Sequence, residues 1–113
     1  MEKNITQLKS LADPNRLRIL NLLLTHDLCV GALAHHLRLS KPAVSQHLKV
    51  LRGAGLVKGE KRGYWTHYLV QREVLRQVGE SLVGMAEQKP SQEGCLVMLE
   101  AKPARAAKGR KAK

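Results

Sequence analysis

The sequence predicts a mainly α domain carrying a small β-hairpin, on three observations. Apolar residues recur at spacings of three and four along four successive segments between residues 5 and 53. Only about three residues separate the third segment from the fourth, the turn length of two helices joined at a steep angle. From residue 56 to residue 70 the period then shortens to two before a last helical stripe begins.

Ile5, Leu8 and Leu11 define a short first helix. Asp13 is a good cap for the second, Pro14 fits its first position, and Leu17, Leu20, Leu23 and Leu24 supply its apolar face. Thr25 to Asp27 break it. Val30, Leu33 and Leu37 mark the third helix, ending near Arg38 and Leu39. Ser40 caps the fourth, Pro42 is tolerated in its first turn, and Gly53 and Gly55 end it. Leu56 to Lys61 and Tyr64 to Val70 read as strands with the turn near Arg62 and Gly63. The last helix spans about Arg72 to Gln88, with Lys89 and Pro90 as its stop. Residues 1–89 thus form one domain. Residues 90–113 form an extension with an apolar island at 95–99 and a basic tail at 101–113, whose Ala/Lys/Arg/Gly composition predicts no packed structure. The island is expected to dock on the body or on a second subunit, since such a run resists solvation.

The chain has 113 residues and a formal charge of +11. The tail holds +6 of that charge and no acid, which leaves +5 on the rest. A balance this basic points to a polyanion. Aromatics at 3%, with no Phe, argue against a single-strand binder that stacks bases. No apolar run approaches the length of a membrane span and the first ten residues lack a signal-peptide core, so a cytoplasmic protein without a membrane partner is expected. Two cysteines, Cys29 and Cys95, make no disulfide framework and are expected as thiols.

On the fourth helix, Val44, Leu48 and Leu51 share one side. Pro42, Gln46 and Lys49 point away from it, flanked by Ser45, Lys41 and the cap Ser40. None of these groups performs acid–base chemistry at an ordinary pKa. Gln can pair with adenine, Lys with guanine or phosphate, and Ser with several bases, while small residues at the helix front let the backbone approach. The face therefore fits the major groove of double-stranded DNA. A hairpin tipped by Lys61 and Arg62 directly after such a helix pair makes a winged helix-turn-helix, its wing on the phosphate backbone or in the minor groove. Val74, Val78, Leu82 and Met85, with Ile5 and Leu8, give more apolar surface than a monomer of this size hides, so a homodimer is expected through them.

LADPNRLRIL, DLCVGAL, LSKPAVSQHLKVLRGAGLV and KRGYWTHYLV, in that order, resemble the ArsR–SmtB family of winged-helix repressors over roughly residues 5 to 85. The resemblance implies a homodimer closed by its first and last helices, a near-palindromic operator, and release when an inducer binds. It also implies that Lys41, Ser45 and Gln46 face the bases and Arg62 sits at the wing tip.

The sensor departs from the family. Arsenic-type members resemble CVCDL and zinc-type members CVGDL, whereas this chain has CVGAL. Cys29 matches the first thiol, but Gly31 and Ala32 stand where a second thiol and an Asp would. One ligand makes no metal site. The last helix has no Asp or His, and the five histidines lack chelating spacing, so no metal site is assigned. Cys29 and Cys95 together are the candidate inducer site, with two thiols suited to an arsenical, a soft metal ion or an oxidant. No cofactor is required on this reading. No Gly-rich phosphate loop, activated nucleophile or carboxylate cluster suggests an enzyme. The alternative function is a general, charge-driven nucleic-acid-binding protein without an inducer.

Overall fold

Asp13 sets the entry to the body of the molecule. In the computed structural model, which describes residues 4–104, its carboxylate accepts hydrogen bonds from the backbone N–H of Asn15 (2.8 Å) and Arg16 (3.1 Å). This caps α2 (Pro14–Thr25), with Pro14 at the position where a missing N–H costs nothing. Before it lies α1 (Ile5–Leu11). After it come a two-residue strand β1 (Leu28–Cys29), α3 (Val30–Leu37) and α4 (Lys41–Gly53). The hairpin strands β2 (Val57–Arg62) and β3 (Trp65–Val70) follow, then α5 (Arg72–Ala86) and α6 (Cys95–Glu100).

The core lies between α2, α3, α4 and the base of the hairpin. Ile19, Leu33, Val44, Leu48, Leu51, Leu56 and Val57 are its most completely buried side chains. Truncating one of the leucines to Ala is expected to cost about 2–5 kcal/mol. Leu17, placed on the apolar face of α2 by its spacing, is exposed, and Ile19 fills that role. On a helical wheel, Leu17 lies roughly 110° from the centre of the Ile19–Leu20–Leu23 face.

Arg38 turns the chain between α3 and α4 at φ 58°, ψ 43°; among the described residues it is the only non-glycine residue with positive φ. Its left-handed conformation ends α3, and Leu39 N–H donates back to Ala34 C=O at 3.0 Å. The sheet has the order β1-β3-β2 and is antiparallel throughout. The sequence shows the hairpin but not β1, which pairs Leu28 with Tyr68 and Cys29 with His67. The expected turn at Arg62–Gly63 falls one residue later. Arg62 pairs with Trp65, leaving Gly63 and Tyr64 as the loop. Gly63 takes φ +64°, which a hairpin turn requires of its first loop residue and which glycine adopts without strain.

α5 packs on the body between Val74 and Ser81. Asn4 Nδ2 donates to Ser81 Oγ, tying the start of α1 to α5, and Val74 rests against the core. α6 occupies the expected apolar island. All its residues are exposed, so the island does not bury itself on its own chain. Most of the basic tail, residues 105–113, lies outside the described residues.

Candidate nucleic-acid interface

α4 is fixed on one side and free on the other. Ser40 caps it in extended backbone (φ −71°, ψ 154°), and its hydroxyl accepts from Ala43 N–H at 3.2 Å. Val44, Leu48 and Leu51 anchor the inner side in the core. Lys41, Pro42, Ser45, Gln46 and Lys49 are all exposed. The side chains of Ser45 and Gln46 hydrogen-bond to nothing among the described residues, so their donors and acceptors are free for a partner. The helix is braced at its C-terminal end and at its middle. Gln7 Nε2 donates to Ala54 C=O at 2.9 Å, tying α1 to the C-terminal end of α4. Arg16 donates from Nε to Ser10 C=O at 2.6 Å and lies 3.4 Å from His47 Nδ1, so one guanidinium spans α1, α2 and α4. The outward side chains stand on a rigid mount, as base reading requires.

The wing differs from expectation at its cation. Arg62 is not the tip. Its guanidinium is committed to Asp27 and to Glu60, whose Oε1 accepts from Nε at 2.9 Å and from Nη2 at 2.6 Å. The other oxygen of Asp27 accepts from His67 Nδ1 at 2.8 Å. Register explains the cluster: Glu60 and Cys29 both lie opposite His67, and neighbours in register share one face of the sheet. The hydrogen bond from Arg62, followed by that from His67, holds the Asp27 carboxyl below its ordinary range. In return Asp27 first and Glu60 second raise the pKa of Arg62. Asp27 was missed as a partner because its loop and the hairpin meet only in three dimensions, whereas Glu60, two residues from Arg62 on β2, was legible in the sequence. Tyr64, the true tip, is 99% exposed.

The two thiols have different settings. Cys29 is half-buried at the junction of β1 and α3, and Cys95 is exposed at the first residue of α6; both are free. A Cβ on Gly31 would lie 4.0 Å from Cys29 Sγ and 3.8 Å from Lys41 Cε, so the thiol and the Lys41 stem both flank Gly31. With Gly31 and Ala32 in place of a thiol and a carboxylate, α3 does not fit a metalloid or zinc ion by itself. No group of three or more potential metal ligands occurs among the described residues. The expected dimer surface divides. Val78 is 2% exposed within its own chain, which makes it a packing residue, and Val74 is half-buried against the core. Leu8 is half-buried, while Ile5, Leu82 and Met85 remain exposed, joined by Val83, which the spacing did not single out.

The model of the family described as bacterial regulatory protein, arsR family, matches residues 13–58, from the cap of α2 into β2. The transcriptional repressor SdpR of Bacillus subtilis is 35% identical over 68 residues, 60% of this chain and 76% of SdpR. The chain belongs to the ArsR family. Solved structures place its ArsR-family fold equally well. A possible transcriptional regulator for arsenical resistance superposes with a TM-score of 0.66 at 36% identity, covering 72% of this chain and 84% of that one. A homodimeric winged helix-turn-helix DNA-binding domain from Mycobacterium bovis, a possible ArsR-family regulator, gives 0.63 at 28% identity over 76% and 81%. This ArsR-family chain is therefore a DNA-binding transcriptional regulator with a winged helix-turn-helix fold, as its four sequence motifs implied. No helix among its described residues is long and apolar enough to cross a membrane.

Proposed function

We propose that the chain is a homodimeric repressor that reads a near-palindromic operator with α4 of each protomer. A thiol-reactive inducer releases it. The observation that carries this reading is the free outer face of a braced α4. Lys41, Ser45 and Gln46 meet base edges, Ser40, Pro42 and Lys49 meet or approach the backbone, and the N-terminal end of the helix enters the major groove. Ile5, Leu82, Val83 and Met85 form the apolar surface available to a second copy.

The inducer acts through Cys29 and Cys95. A trivalent arsenical or a soft metal ion would bond both sulfurs with loss of their protons. A two-electron oxidant would take two electrons and two protons from them to leave a disulfide. Support comes from the place of Cys29 at the start of α3, where it and the Lys41 stem of the reading helix both flank Gly31.

The test is a double substitution, Ser45→Ala with Gln46→Ala. Each lost base contact is worth about 1–3 kcal/mol of discrimination. Affinity for a duplex enriched from a random pool should fall toward that for scrambled DNA, which itself should barely change. An unaltered ratio between the two would remove α4 as the reader. It would favour binding by charge alone.

A further inference from the structure

The three aromatic residues of the chain, Tyr64, Trp65 and Tyr68, all lie on the wing. Tyr68 faces inward at the base of the hairpin, where its ring would lie 3.4 Å from a Cβ on Gly59. Tyr64 and Trp65 do the opposite and crown the turn in solvent. The cation beside them, Arg62, has its charge answered by Asp27 and Glu60. Freeing it for DNA would mean breaking both ion pairs and leaving two carboxylates facing the phosphates. Lys58 and Lys61 are exposed on β2 and carry no ion pair among the described residues, so the hairpin still draws a polyanion toward its tip.

We propose that the wing touches DNA through the Tyr64 hydroxyl, donated to a backbone phosphate oxygen, and not through the Arg62 guanidinium. This rests on the reading of α4 as the groove helix. Tyrosine is an ordinary donor to phosphate, and a neutral donor displaces no condensed cation. The contact therefore adds affinity without adding salt dependence. Arg62 serves as a positioning residue that locks β2 to the loop before β1 and holds the tip at a fixed height.

The experiment measures binding of the full chain to a fluorescent duplex enriched from a random pool, between 50 and 300 mM salt, for Tyr64→Phe, Tyr64→Ala, Arg62→Gln and Lys61→Ala. Tyr64→Phe should weaken binding about tenfold per wing, as expected for a hydrogen bond to a charged acceptor, with an unchanged slope of log K against log salt. Tyr64→Ala should do at least as much. Because Tyr64 is exposed, thermal unfolding of both variants should match the parent. Lys61→Ala, a charged control, should flatten the slope by about 0.9 per wing, about 1.8 for the dimer. Arg62→Gln should leave the slope alone. The proposal is overturned if Tyr64→Phe binds like the parent, which would make the tip a non-polar spacer or a contact for another protein. It is also overturned if Arg62→Gln flattens the slope as Lys61→Ala does. If the parent enriches no duplex above the random pool, the α4 reading fails first, and that result is distinct from either.

Discussion

Two valines and a leucine on α5 separate folding from assembly. The spacing puts Val74, Val78 and Leu82 on one stripe, yet Val78 is 2% exposed in the single chain and Leu82 46%. Fully burying a Leu side chain stabilises by about 1.5–3 kcal/mol, so covering the remainder of Leu82 contributes about 0.7–1.4 kcal/mol per protomer. A two-fold axis uses the residue twice, giving about 1.4–2.8 kcal/mol per dimer. Leu82→Ala should therefore raise the dimer dissociation constant roughly 10- to 100-fold, and cost the protomer only about 0.8–1.6 kcal/mol for the half of the side chain its own chain already covers. Val78→Ala has nothing left for a partner to cover. It should lower protomer stability by about 2 kcal/mol, from two lost methyl groups and a residual cavity, without shifting the dimer constant beyond what unfolding accounts for. Sedimentation equilibrium from nanomolar to micromolar protein gives one quantity and urea unfolding at fixed concentration gives the other. The reasoning is refuted if Leu82→Ala dimerises like the parent, or if Val78→Ala dissociates a protein that is otherwise as stable as before.

Removing residues 101–113 should weaken binding to all duplexes alike and flatten the salt slope by about 0.9 for each phosphate the tail neutralises, with sequence preference intact; an unchanged slope would show that the tail stays off DNA. The Asp27 lock should respond to acid. The folded pKa of Asp27 is depressed by Arg62 and His67, so the stability it contributes is fully present above the unfolded carboxylate value of about 3.9. That stability is lost as pH falls through the lower folded value, and Trp65 fluorescence should report it in the parent but not in Asp27→Asn. Cys29→Ser and Cys95→Ser, made separately, should each blunt the loss of operator binding caused by arsenite, an organoarsenical or peroxide, a coupling of about 1–3 kcal/mol. Parent-like responses in both would make the thiols structural.

The helices were legible because each has a period, a cap or a stop. Asp13–Pro14 and Ser40 cap α2 and α4 as their types suggest, and Gly55, at φ +76°, follows the end of α4. The outward face of α4 was legible for the same reason, since burying Val44, Leu48 and Leu51 leaves the rest no other place. What escaped was set by contacts between distant segments. A strand of two residues has no alternation to detect, so β1 is visible only through its pairing with β3. Arg62 reads as a free cation until folding brings Asp27, 35 residues earlier, against it. Val78 and Leu82 are both apolar and four apart; only the folded packing, which buries one and leaves the other half exposed, separates core from surface.

The hydrogen bond from Gln7 to the end of α4 ties the proposed assembly helix α1 and the proposed reading helix into one lever. In a two-fold dimer whose half-sites lie one DNA turn apart, roughly 34 Å, each reading head stands about 17 Å from the axis. A tilt of only about 5° at the interface would then carry the head sideways by about 1.5 Å, half the length of the hydrogen bonds it makes to base edges. With Arg16 bracing the same helix from the other side, little slack exists to absorb the tilt. A regulator built this way needs no large rearrangement to let go of DNA. In the proposed dimer, operator affinity would be held in the angle between the two subunits, and a ligand changing that angle by a few degrees at both protomers would spoil both half-sites at once.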